Sequence, residues 1–294
     1  DEIPQNLNGK RIILFSTDKT IYLTDSVGSF LSPIYSVNND YIGCLTSNDN
    51  GDTLYYLQTA ATNSNPVIMM MTTNNLNPIA VGSVPIGYND IRQFKYFNGV
   101  FYYIKGETLM QISNGTPSLV DNADNHSFTV SNSGTVYRGY NSGGNFYLSG
   151  SSFGPYAETL YDLDYSDLEN RMYMYDYYGA GRISYWDFTN NTQTILFDAN
   201  YSYQASSSYM DQVIRYDESH VYFNLAMSLF SVENNGSNLR IITSSTDDKN
   251  ITGIVSLIFQ YQNVGPNPNT SVNVSNYIAS NNKKIFFSTD KTIY

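Results

Sequence analysis

Phe15-Ser16-Thr17-Asp18-Lys19-Thr20-Ile21-Tyr22 returns unchanged as Phe287 to Tyr294, so one strand-turn-strand unit stands near both ends of the 294-residue chain. Apolar and aromatic residues flank a polar Asp-Lys step, the pattern of a hairpin whose alternate side chains face a core while the turn faces water. A recurring unit marks a repeat architecture, and that decides how every other segment is read.

Aligned on this unit, the chain shows seven aromatic-rich runs, beginning at Arg11, Thr53, Val100, Thr135, Arg171, His220 and Lys283. Each reads as the second strand of a four-stranded unit. Most are followed by another alternating run, such as TIYLTD, NFYLSG, RISYWD or SLFSVE. Clusters of Asn, Asp, Ser and Gly, as in Ser47 to Asp52 and Ser166 to Asn170, separate the runs and supply residues that tolerate positive φ or cap their own backbone. The spacing, from about 35 to about 60 residues, brackets the period of a propeller blade. The expectation is an all-β propeller of seven blades, with six as the alternative.

The domain reading follows. Residues 1–10 read as an N-terminal tether and 11–294 as a single propeller closed by its N- and C-terminal strands. The first unit lacks a first strand, whereas the last has one near Ile254 and stops within a third at Tyr294. The duplicated octapeptides are therefore expected in equivalent strands of adjacent first and last blades. The Pro- and Asn-rich stretch from Asn263 to Asn282 reads as a loop insertion.

Composition excludes several function classes. A net charge of −11 and a pI near 4.4 oppose nucleic-acid binding and adsorption to anionic lipid. No apolar run approaches the roughly 18 residues that span a bilayer, so no membrane insertion is expected. With 28 Tyr, 15 Phe and only 14% charged residues, polarity comes from Asn, Ser, Thr and Tyr, which suits a secreted or surface-attached monomer. The start at Asp1 reads as a mature or trimmed chain. The single Cys44 sits in an alternating run and reads as a small buried apolar residue.

The segments Phe15 to Asp18, Phe287 to Asp290 and Tyr173-Met174-Tyr175-Asp176 resemble the Tyr-Trp-Thr-Asp strand motif of low-density-lipoprotein-receptor-type propellers. The stretch from Leu160 to Ala199 has that family's order of aspartate-bearing strand, aromatic strand, Ile-x-x-x-Asp strand and closing strand. The stretch from Val213 to Ile242 is similar to the bacterial receptor-like propellers called DUF5050. The resemblance implies a bacterial envelope location, aspartates that bond from blade to blade, and a binding role.

Catalytic signatures are missing. His126 and His220 read as turn or surface histidines, and no nucleophile elbow, zinc motif or phosphate loop appears. The acidic cluster around Asp162 and Asp164, one face of LYDLDYS, is a weak metal site for calcium; otherwise no cofactor is expected. Tyr185 and Trp186 read as core. A recognition face is expected where loops between second and third strands meet loops between blades, bringing Tyr140, Tyr177, Tyr178, Arg182, Tyr201 and Tyr203 together. The reading is a non-enzymatic module that binds an unknown protein or glycan through one propeller face. A polysaccharide lyase or glycosidase using Asp162, Asp164 and Asp176, and a spacer in a larger surface protein, are the alternatives.

Overall fold

The computed structural model describes residues 7, 9–48, 51–61, 63–73, 75–122, 124–142, 145–149, 160–176, 181–198, 213–225, 227–247, 249–258, 288–289 and 292–293. Among the described residues the regular structure is strand, apart from a single 3₁₀ turn at Tyr88–Asp90. Residues Asp1–Tyr261 form one compact unit and Gln262–Tyr294 another.

Within the first unit six antiparallel sheets follow the chain. The first is laid down by β1 (Arg11–Ser16), β2 (Thr20–Asp25) and β3 (Leu31–Ser36). The second contains β4 (Tyr41–Ser47), β5 (Thr53–Thr59), β6 (Val67–Thr72) and β7 (Asn75–Ser83), and the third β8 (Ile91–Phe97), β9 (Val100–Lys105), β10 (Thr108–Ser113) and β11 (Thr116–Asp121). The fourth has β12 (Asp124–Val130), β13 (Val136–Ser142) and β14 (Asn145–Leu148). The fifth has β15 (Leu160–Ser166), β16 (Arg171–Asp176), β17 (Arg182–Asp187) and β18 (Thr192–Asp198). The sixth has β19 (Ile214–Asp217), β20 (His220–Leu225), β21 (Ser228–Glu233) and β22 (Arg240–Ser244). The chain then returns as β23 (Gly253–Ile258), which pairs antiparallel with β1 from Arg11 opposite Ile258 to Ser16 opposite Gly253.

That pairing supplies the first strand missing from the N-terminal unit. Innermost strands touch in the order β4, β8, β12, β15, β19, β23 and back to β4. The result is a closed ring of six blades, not seven. The six second strands are β1, β5, β9, β13, β16 and β20, matching six of the seven runs read from sequence. The seventh begins at Lys283, and residues 283–287 lie outside the described residues; of the second octapeptide, β24 (Ser288–Thr289) pairs with β25 (Thr292–Ile293). Leu7, within the expected tether, is buried in the cluster between the first two blades.

Six hydrophobic clusters occupy the six blade interfaces. Along β1, Ile12 and Leu14 face the second blade while Ile13 and Phe15 face the sixth. Both faces of a blade are thus buried, and near-continuous apolar runs replace simple alternation. Each fully buried large side chain contributes about 1.5–3 kcal/mol. Inner strands approach so closely that a Cβ on Gly253 would stand 2.7 Å from the Leu45 backbone nitrogen.

Turns are specified locally. The Thr17 hydroxyl accepts from the backbone N–H of Lys19 and Thr20 at 3.2 and 3.0 Å, tightening the β1–β2 hairpin. The second octapeptide adopts the same register, with Ser288 opposite Ile293 as Ser16 is opposite Ile21. Two third strands, β2 and β17, end in an aspartate that caps the next turn. Asp187 accepts from the backbone N–H of Thr189 and Asn190 at 2.9 and 3.0 Å, and Asp25 from Ser29 at 2.8 Å. Partial burial opposes ionisation of both, but these hydrogen bonds outweigh it and hold both carboxyls below their usual value.

Two outcomes follow. A chain ending at Tyr261 keeps every strand of the six sheets and folds, whereas one ending at Thr252 lacks β23 and loses cooperative thermal unfolding; calorimetry of both truncations checks this. Asp187→Ala destabilises by about 1 kcal/mol at neutral pH. Because the folded carboxyl titrates below 3.8, this stabilisation is present above that pH and disappears as pH falls through the depressed value. Urea titrations of wild type and variant should therefore converge in acid.

Candidate functional site

Inner strands buried on both faces have no use for charge unless it is paired, yet several carry it. Gln93 and Lys95 alternate on β8, Asp162 and Asp164 on β15, and Arg215 lies on β19. The ring brings these side chains together in the central channel. Asp162 is 3% exposed and Lys95 8%. Lys95 Nζ lies 3.2 Å from Asp162 Oδ1 and also donates to the carbonyl of Leu163. Gln93 Nε2 donates to Asp162 Oδ1 at 2.6 Å, while Gln93 Oε1 accepts from Phe128 N–H at 2.8 Å. On the far side, Asp162 Oδ2 accepts from Arg215 Nη1 at 2.8 Å and from Ile214 N–H at 3.0 Å. Asp164 Oδ2 accepts from Tyr216 N–H at 2.8 Å.

Blades three, five and six are therefore tied across the channel by one carboxylate. Burial lowers the Lys95 ammonium against the pull of Asp162, and burial raises the Asp164 carboxyl against the pull of Lys95 and Arg215. On one side of this septum the void is only about 30 Å³, lined by Cys44, Arg92, Val213 and Gly253 among others. On the other side a polar cavity of about 230 Å³ opens, floored by Lys95, Asp164 and Arg215. Its wall takes residues from every blade: Thr46 and Asn48, Tyr96 and Phe97, Thr129 and Asn132, Tyr165, Tyr216, and Ser256. All come from the ends of first strands or the turns after them.

The wall is rigid. Tyr96 stacks on Tyr55 at 4.5 Å and Tyr216 on Tyr173 at 4.3 Å, while Tyr165 packs on Tyr137 and donates to Asn170 at 2.8 Å. Each ring remains only partly buried. A fixed aromatic rim over a polar floor is the composition of a binding pocket.

Only Tyr140 and Arg182 of the expected recognition face fall among the described residues. Tyr177, Tyr178, Tyr201 and Tyr203 lie outside the described residues. Tyr140 is half-buried, stacked on Tyr147 at 5.6 Å beneath the Arg138 guanidinium. Arg182 Nε donates to the fully buried Asp176 at 3.1 Å. Asp162 and Asp164 are surrounded by cationic and N–H donors where calcium needs converging oxygens, and the donor set does not fit that ion. Among the described residues no group of three His, Cys, Asp or Glu converges. Cys44 and Trp186 are buried, whereas Tyr185 is half-buried under the Arg171 guanidinium. His220 follows a turn as expected; His126 lies within β12, 3.2 Å from Arg92.

Sequence reasoning found Asp162 and Asp164 but not Gln93, Lys95, Arg215 or the aromatic rim. The available signal was a polar residue at alternate positions of an otherwise apolar first strand, as in RQFKYF and VIRYD.

Comparison with solved structures agrees with the propeller fold. A chain in the crystal structure of a nidogen/laminin complex aligns with a TM-score of 0.62 at 10% identity, over 85% of this chain and 100% of that one. TolB from Acinetobacter baumannii aligns with a TM-score of 0.52 at 11% identity, over 87% of this chain and 68% of that one. No protein-family model and no curated protein sequence matches, so the DUF5050 resemblance gains no support. At these identities the likeness is one of fold: the chain is a β-propeller similar to the nidogen propeller and to that of TolB.

Proposed function

We propose that this protein is a non-enzymatic, secreted or surface-attached binding module that holds its partner at the channel mouth beside the turns after the first strands. The observation that carries the reading is the cavity itself, with walls from all six blades and a rim of rings fixed by their own stacking. A preorganised aromatic surface loses little side-chain entropy on binding. Beneath it Asp162 is held by Lys95 and Arg215 while Asp164 accepts from Tyr216 N–H, an arrangement that favours binding over the lyase or glycosidase alternative. The presence of a similar propeller in a complex of nidogen with laminin supports a partner-facing role. Polarity drawn mainly from Asn, Ser, Thr and Tyr supports an extracytoplasmic setting.

The test uses Asn132, which is exposed and lines the mouth without touching the ion network. The purified chain is screened on glycan and secreted-protein arrays beside Asn132→Trp, whose larger ring fills the opening. Binding by wild type that falls at least about tenfold in the variant, with unchanged thermal unfolding, is expected; tenfold corresponds to about 1.4 kcal/mol. A ligand held equally by both proteins places recognition elsewhere.

A further inference from the structure

We infer that the channel mouth takes one neutral sugar residue, an inference that rests on the mouth being the binding site and names what fills it. Three observations converge. The cavity, about 230 Å³, lies below the size of drug-like pockets and admits a single small ring. Its polar floor is electrically balanced, with Lys95 and Arg215 facing Asp162 and Asp164. An anion arriving there meets Asp164, and a cation meets Arg215, so neither gains from the net field.

The floor nevertheless retains one donor group and one acceptor oxygen, on Arg215 and Asp164. Arg215 uses only Nη1 toward Asp162 and the Ile214 carbonyl, leaving Nε and Nη2 without a protein partner. Asp164 uses only Oδ2, toward Tyr216 N–H. A hydroxyl group both donates and accepts, so neighbouring hydroxyls on one ring answer the guanidinium and the carboxylate together. The rings of Tyr96 and Tyr216, each with one face already stacked within the protein, offer the apolar surface on which a pyranose packs. A sugar in a free polysaccharide and one carried on a glycoprotein present the same chemistry.

Saturation-transfer NMR on the full chain with methyl glucoside, galactoside and mannoside, each at millimolar concentration, tests the inference. Transfer to ring protons is expected for at least one glycoside. Asp164→Asn keeps an acceptor for Tyr216 N–H but converts the other carboxyl edge to a donor, and should weaken transfer at least tenfold. Asn132→Trp should abolish it and serves as the readout if Asp164→Asn does not fold. Competition by a neutral polysaccharide against a deglycosylated and an intact glycoprotein separates the two sources. Absence of transfer from all three glycosides, or transfer undiminished in Asn132→Trp, overturns the inference. If no glycoside binds while Asn132→Trp still blocks a protein ligand found on the arrays, the mouth stands as the site and the sugar assignment fails.

Discussion

Asp162 is the residue on which the centre of this propeller depends. Placing a carboxylate in a channel with 3% exposure is costly unless its lone pairs are filled, and here the side chains of Gln93, Lys95 and Arg215 and the Ile214 N–H fill them. Those partners come from blades three and six, while the carboxylate comes from blade five. One group therefore fixes inner strands that are not all neighbours, shuts the channel, and provides the floor over which Asp164 and the tyrosine rim stand. Apolar filling of the same space could have matched it in stability. It would not have left a polar cavity with all six inner strands around it.

Around that centre the ring is held by shared surfaces. Each blade gives one face to each neighbour, as Ile12 and Ile13 of β1 show by pointing into different clusters. Closure uses the same chemistry, because β23 packs Val255 and Leu257 toward blade two and Ile254 toward blade six while pairing with β1. Asp217 reinforces the seam from the sixth blade, accepting from Ser256 Oγ at 2.8 Å and lying 3.5 Å from Arg11.

Much of this was legible in sequence, for identifiable reasons. Second strands announced themselves through aromatic runs between turn clusters, and a single residue such as Thr17 or Asp187 specifies the turn beside it. The octapeptide forms the same hairpin register in both places because its determinants lie within eight residues. Blade number was not so readable. A ring is complete when β23 meets β1, and that long-range pairing is indifferent to a further copy of the hairpin downstream. The central site was readable only in part, because Asp162 and Lys95 lie far apart in sequence and each alone resembles an ordinary strand polar residue. Their meeting is a product of ring geometry.

The most direct measurement is a double-mutant cycle on Lys95→Met and Asp162→Leu by urea unfolding. Lys95→Met leaves Asp162 with Arg215 as its remaining cation, and Asp162→Leu leaves Lys95 and Arg215 buried without it, so each single change should cost about 3–5 kcal/mol. The double variant should be less destabilised than the sum of the singles by more than about 1.5 kcal/mol, since it removes both charges together. Additive costs within about 0.5 kcal/mol would show that the two side chains do not hold the channel as a unit, and would contradict the account of its floor.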